Sequence, residues 1–353
     1  MNGLSEHTLE TRAASQQESD ATGQDGAAAA GAAIIAGPNA DPVTPAATTR
    51  LDFLRHCAHP LLMLAVAVYA YAAIARGWDL GGANFAFVLL TIGYLALLER
   101  LIPYERRWLP DRREWGLYGV YFFLTVVGGA LAQIPLMAAV SAVAPLHPAL
   151  PLWAEIPLAL LLSSLASYAV HRAGHDVPLL WRLHGVHHVP DKVNVGNNGV
   201  NHVLDVTLAQ FVVQFSLALS GFSAHALFAV GIFVIAQGYF VHANIDVRLG
   251  WLNHVLASPE LHRMHHSADK HEAGHFGSDL SVWDRLFGSY TWRPGKRPRQ
   301  IGLFAPGTFP PNRALLSTLL HPLRPRRYPP APPPSPAHAP LASAAPAADR
   351  APP

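Results

Sequence analysis

Six long apolar runs dominate this chain, and they decide what it can fold into. They cover about residues 60–75, 83–98, 117–143, 152–170, 206–219 and 225–241. A helix needs roughly 20 residues to cross the hydrocarbon core of a bilayer, and each run, extended by its flanks, approaches or exceeds that length. Inside lipid every backbone polar group needs a partner within the protein, so such runs must be helices. The competing reading is a large soluble helical core, but six runs of this kind rarely share one soluble chain. Composition agrees with the membrane reading. Residues are 51% hydrophobic and 14% charged, against about 25% charged in soluble domains. The expected fold is all-α, a polytopic membrane helical bundle of about four to six spans. The third run is long enough to span with tilt or to turn back.

Charge sets an expected orientation. Between the second and third runs lies ERLIPYERRWLPDRREW, with Arg100, Arg106, Arg107, Arg112 and Arg113, and Arg50 and Arg55 precede the first run. Basic loops favour the cytoplasmic side. Counting crossings from there places every large histidine group on the cytoplasmic face, as a histidine-rich helical cap. The net charge of +2 and the lack of a basic patch interleaved with aromatics argue against nucleic acid as a partner. A single cysteine, Cys57, allows no intramolecular disulfide.

Residues 1–48 are rich in Ala, Gly, Thr and Gln without amphipathic period, and read as a disordered tail. The stretch at 26–37 has the apolar character of a signal peptide but no basic region before it, and that reading is rejected. The body runs over 49–300, followed by a peripheral segment at 301–324. Residues 325–353 form a Pro/Ala-rich tail, expected to be disordered. Arg324, Arg326 and Arg327 at its start could touch an anionic membrane surface.

Chemistry concentrates in the histidines. The chain has 20, most of them in two polar segments, 171–205 and 242–290. HRAGH places His171 and His175 at i and i+4, on one face of a helix, where the fourth run leaves the hydrocarbon. LHGVHH supplies His184, His187 and His188, and LHRMHH supplies His262, His265 and His266. Both read H-x-x-H-H, a spacing at which one helical turn can aim all three imidazoles at a common region. Imidazole suits iron, zinc, copper and nickel. One ion rarely takes more than about six ligands, so these eight histidines imply two ions. His242, at the end of the last run, is a further candidate, with Asp246 one turn beyond as ligand or acceptor. His202 and His254 lie near the groups but stand unpaired. Asp191, Asp205, Asp269, Asp279 and Asp284 are available to accept from imidazole N–H groups.

In order, HRAGH, LHGVHH, HANI, LHRMHHS and SDLSVWDRLFGSY resemble the fatty acid hydroxylase/sterol desaturase superfamily over roughly residues 160–290. The resemblance implies a membrane-embedded di-iron oxygenase that uses O₂ to hydroxylate or desaturate a lipid: a fatty acyl, sterol, isoprenoid or ether lipid. It further implies that His171, His175, His184, His187, His188, His242, His262, His265 and His266 bind the two irons, and that WDRLFG at 283–288 closes the site structurally. This chain departs from the family pattern at Ser164, Val170, Val203 and His275, which stand where Asp, Trp, Pro and Asn are usual. No nucleotide fingerprint, haem-attachment motif or cysteine set for an iron–sulfur cluster occurs, so electrons are expected from a separate cytochrome, ferredoxin or reductase.

Two other classes compete. HEAGH at 271–275 has the spacing of a zinc protease helix, with Glu272 as base. Its surroundings lack a helical apolar period and no glutamate follows Glu272, so Asp279, Asp284 or His321 would have to serve as third ligand. A metal transporter or sensor is the other, although transporters place their ligands near mid-membrane and these histidines cluster at span ends.

Overall fold

A computed structural model describes residues 45–143 and 150–323. Of the stretches expected to be tails, 1–44 and 325–353 lie outside the described residues, as do Arg324, Arg326 and Arg327, while 45–48 fall in the first helix rather than in a disordered tail. Among the described residues there are ten α-helices: α1 (Pro45–Ala75), α2 (Leu80–Leu101), α3 (Arg112–Ala142), α4 (Leu152–Asp176), α5 (Pro178–His184), α6 (Val203–Ser220), α7 (Ala224–His242), α8 (Pro259–His265), α9 (Val282–Leu286) and α10 (Leu315–Leu320). No β-strand occurs among the described residues. Three isolated bridges, such as Pro103 with Ile245, tie the loops.

Among the described residues six helices are long and apolar enough to cross a membrane: Leu51–Ala75, Leu80–Leu101, Arg112–Ala142, Leu152–Asp176, Val203–Ser220 and Ala224–His242. All six apolar runs of the sequence fall on them, at the upper end of the expected number. The third is one continuous helix of 31 residues and does not turn back. Large apolar side chains such as Tyr71, Phe123, Ile134 and Met137 point outward from these helices. A water-facing surface of that kind would be unstable, whereas lipid leaves it without cost.

Local signals start and stop the spans. Asp111 and Glu114 form a reciprocal capping box at the start of α3. Asp79 and Ser223 cap α2 and α7. The α6 helix ends at Gly221, whose φ of 65° suits a residue without Cβ. The most buried span is α7, packed against α1, α2 and α4. Phe228, Ile232, Ala236 and Phe240 of α7 join Leu62, Phe87 and Leu95 of α1 and α2 in the main core. Packed side by side, α7 and α4 carry His242 and the His171/His175 pair at their C-terminal ends.

The polar segments between and after the spans form a cap over that end. Residues 301–323 pack into it: Phe309 joins Tyr118, Tyr121, Val186 and Val200 in one core, and Ile301 joins Trp108 and Val193 in another. The Phe309 ring lies where a Cβ on Gly185 would sit, so only glycine fits there.

Candidate metal centre

Nine histidines converge in the cap, and they divide into two groups. His171, His175, His184, His188 and His265 form one; His187, His242, His262 and His266 form the other. Within each group, one ligand atom per residue lies within 4.8 Å of all the others. The groups share a wall, where the His188 and His266 rings stack with centroids 4.4 Å apart. These are the nine residues the sequence singled out.

Each H-x-x-H-H triplet splits between the groups, which differs from the expectation of a single target. From the first, His184 and His188 enter the five-histidine group and His187 enters the other. From the second, His262 and His266 enter the four-histidine group and His265 crosses over. Residues four apart share a helix face, whereas the intervening one is turned aside. Locally, Pro178 starts α5, and the chain tightens to a 3₁₀ turn at Gly185–His188. Three residues per turn swing His187 away from His188. Ser258 caps α8 and Pro259 occupies its first turn, setting the phase of His262, His265 and His266.

Hydrogen bonds at Nδ1 orient the rings. Carbonyl oxygens of Phe276, Val200, Asn194 and Gly274 accept from His171 (2.5 Å), His187 (3.2 Å), His242 (3.0 Å) and His265 (3.2 Å). The Asp205 carboxylate accepts from His184 at 3.0 Å. A proton held at Nδ1 leaves the Nε2 lone pair free for a ligand. Matching this, the Nε2 atoms of His171, His175, His184, His188, His242 and His265 are buried and have no hydrogen-bond partner. A buried polar atom without a partner costs about 1–3 kcal/mol, and six together in two groups require something to bind them. In the second group, Nε2 of His262 and of His266 lie 3.0 Å apart, aimed at the same space. Burial first, and neighbouring imidazoles next, hold His188, His265 and His266 well below the ordinary imidazole range; for His187 and His262 the leading neighbour is His242. Burial and neighbours thus favour the neutral form of these five imidazoles, the form that binds metal. The donor set fits two metal ions.

The remaining candidates fall elsewhere. His202 caps α6, accepting from the Leu204 amide at Nδ1 and donating to the Leu319 carbonyl. His254 meets the Tyr290 hydroxyl. Asp246 pairs with Arg55 at 3.0 Å. Asp269 accepts from the His271 amide. The HEAGH stretch is a turn and extended segment, not a helix. His271 is exposed, and Glu272 is engaged by Ser267 (2.8 Å) and the Arg299 amide (3.0 Å). Those contacts remove the protease arrangement. Its backbone has a different use, since Gly274 and Phe276 supply the carbonyls for His265 and His171. His275 holds a left-handed φ of 64°, where asparagine is the more comfortable residue.

One supporting residue escaped the sequence reading. Glu99 is buried near the end of α2, and its Oε1 accepts from the amides of Val195 (2.6 Å) and Asn244 (2.8 Å). Those residues adjoin Asn194, which holds His242, and Ala243. An ionisable side chain at the edge of an apolar run is a pointer to function, and Glu99 follows directly on the second run.

Two adjacent all-imidazole groups, each able to hold a metal ion, cap one end of a bundle with six helices long and apolar enough to cross a membrane. Residues 156–289 match the fatty acid hydroxylase family. That match and the relatives below support membership of the fatty acid hydroxylase/sterol desaturase superfamily, and with it an oxidoreductase of the oxygenase type. It is similar to the ornithine lipid hydroxylase OlsE of Rhizobium tropici, with 29% identity over 261 residues, covering 69% of this chain and 77% of that one. Alkylglycerol monooxygenase of Danio rerio shares 31% identity over 159 residues, 43% of this chain and 34% of that one. Fatty acid hydroxylase vlmA of a Lecanicillium species shares 28% over 149 residues, 38% of this chain and 41% of that one. The chain thus spans about three-quarters of the first relative but under half of the other two. No solved structure matches.

Proposed function

We propose that this protein is an integral-membrane di-iron oxygenase that hydroxylates or desaturates a lipid, using O₂ and electrons from a separate redox protein. The observation that carries the reading is the set of six buried, unpartnered Nε2 atoms in two adjoining groups. In this reading His171, His175, His184, His188 and His265 hold one iron, and His187, His242, His262 and His266 hold the other. No side chain can remove hydrogen from an unactivated methylene, so the metal pair supplies the oxidation chemistry when bound. The chain's own residues orient His171, His184, His187, His242 and His265 through Nδ1, and exclude bulk water from the four-histidine side, where every ring is buried. Lipid as substrate is supported by the names of the relatives, which include an ornithine lipid hydroxylase and alkylglycerol monooxygenases. The catalytic unit is residues 49–300, and 301–323, expected to be peripheral, supports it by packing Ile301 and Phe309 into the cap. The basic loop at 100–113 supports a cytoplasmic position for the histidines.

The test is metal analysis of the purified protein with lipid mass spectrometry of cells carrying wild type or His187→Ala. Two irons per chain, and one lipid gaining an oxygen or losing two hydrogens only with wild type, are expected. Metal flux across vesicles with no lipid changed would defeat the reading in favour of a transporter.

A further inference from the structure

A cavity of about 670 Å³ opens beside the five-histidine group, within the size range of ligand sites. His175 and His265 form part of its wall, so whatever fills it lies against that group. The apolar wall includes Trp181, Phe276, Leu303, Phe304 and Phe309. Two cations, Arg182 and Lys270, also line it, and both are exposed. Neither makes an ion pair with a carboxylate among the described residues. Lys270 only leans over the Phe304 ring, at 5.6 Å. The acidic residue of the wall, Asp176, already pairs with Arg172 at 3.2 Å.

This combination selects a ligand chemistry. An aromatic wall favours an alkyl segment, and unpaired cations on that wall favour an anion. A neutral lipid would leave both cations without counter-charge, and a cationic one would be repelled. The surroundings suit an amphiphile. Leu179 follows the lining residue Pro178 and is exposed, and α10, which leads into the lining residue His321, exposes Leu316 and Leu320 four residues apart on one face. A hydrocarbon tail leaving the cavity would meet apolar surface there.

We infer that this cavity binds the anionic head of an amphiphilic substrate, a phosphate or carboxylate joined to an alkyl chain, with Arg182 and Lys270 as its counter-charges. The inference rests on the proposed lipid oxidation and narrows its substrate class. Binding at this place sets the bonds nearest the head beside the five-histidine group.

The experiment is equilibrium binding to the metal-loaded, full-length protein in neutral phosphatidylcholine nanodiscs. The probes are dodecyl phosphate, laurate, monolaurin, dodecyltrimethylammonium and inorganic phosphate. The two anionic amphiphiles should bind most tightly, and their affinity should fall in about 1 M salt, where screening acts within roughly 3 Å. Arg182→Gln and Lys270→Gln should each weaken them by up to roughly fivefold, the upper end for an exposed ion pair. Monolaurin affinity, metal content and melting temperature should stay unchanged in both variants, which separates lost recognition from lost folding. Equal affinity for monolaurin and dodecyl phosphate, or unchanged binding in both variants, overturns the inference. So does inorganic phosphate binding as tightly as dodecyl phosphate, which would make the cavity a small-anion site. A metal-loaded protein that binds no amphiphile of any charge, and alters no lipid in cells, counts instead against lipid oxidation itself.

Discussion

The Asp284 carboxylate accepts the backbone amide of Phe276 at 2.7 Å, and the carbonyl of that same Phe276 holds Nδ1 of His171 at 2.5 Å. The other oxygen of Asp284 takes the Gly277 amide at 2.8 Å. A Cβ on Gly277 would stand 2.7 Å from that oxygen and 2.3 Å from the Leu280 carbonyl, so the loop needs glycine to close. The WDRLFG segment thus acts on the histidines at one remove, through backbone.

Replacing Asp284 with Ala would leave two amides unpaired, one of them fully buried in its surroundings. Each costs about 1–3 kcal/mol, so the melting temperature should fall by several degrees. Iron bound to the five-histidine group should be lost first, because His171 loses the fixed carbonyl that orients it. Asp284→Asn, which keeps one acceptor oxygen, should fall between. Thermal melts with iron analysis check this; an Asp284→Ala protein with full iron and an unshifted melt would contradict it.

Asp205 acts on His184 directly, at 3.0 Å. A carboxylate behind a metal-bound imidazole raises its basicity and fixes its tautomer, and losing such a partner typically costs 10–100-fold in metal affinity. Asp205→Ala should therefore lower iron affinity by about that factor, and Asp205→Asn, still an acceptor, by less. Competition with a chelator measures both. Equal affinities across all three proteins would show that Asp205 does not support the site.

The spans and the nine histidines were legible in the sequence because each leaves a local mark. Apolar length records a membrane helix, and i,i+4 histidines record a shared face. The division of each triplet between the two groups was not legible. It depends on the 3₁₀ turn at Gly185–His188 and on where α8 sits relative to α4, which are properties of packing. HEAGH lacks a helical apolar period in the sequence, and the structure has a turn there rather than a helix. Its actual contribution, two carbonyls from Gly274 and Phe276, could not be seen, since backbone groups carry no residue identity. Asp205 and Asp284 stood among several equivalent carboxylates, and only distance separates them from Asp191 or Asp269.

Asp279 gives a pH-dependent test. It is buried, with Oδ1 accepting from Ser164 (2.6 Å) and from the Leu280 amide (2.6 Å) and Oδ2 unpartnered. Burial raises its carboxyl above the ordinary value of 3.8, outweighing the hydrogen bonds that lower it. With the folded-state value raised, the folded protein holds the proton more tightly than the unfolded chain. Its contribution to stability is complete below 3.8 and is lost as pH rises through the folded value. Asp279→Asn keeps an acceptor and removes the charge. Relative to wild type, its melting temperature should rise as pH climbs from the acid range and then level off. A variant less stable than wild type at pH values above neutrality would refute this account.

Glu99 reaches the second histidine group from inside the membrane bundle. One oxygen accepts both the Val195 and Asn244 amides, binding the 194–195 loop to the chain just after α7. Asn194 in that loop holds Nδ1 of His242 through its carbonyl. The Asn244 side chain, in turn, donates to the Glu105 carbonyl and accepts the Glu105 amide, so the α2–α3 loop joins the same assembly. Glu99→Ala would orphan two buried amides at about 1–3 kcal/mol each and release the loop that orients His242. Glu99→Gln retains an acceptor oxygen, so it should keep most of the stability. The Ala variant should lose iron from the four-histidine group while the five-histidine group keeps its own, the reverse of the pattern expected for Asp284→Ala. A difference in which iron is lost, read by spectroscopy of the two partly loaded proteins, distinguishes these routes of support. The same iron lost from both would mean that the groups fill as a single unit.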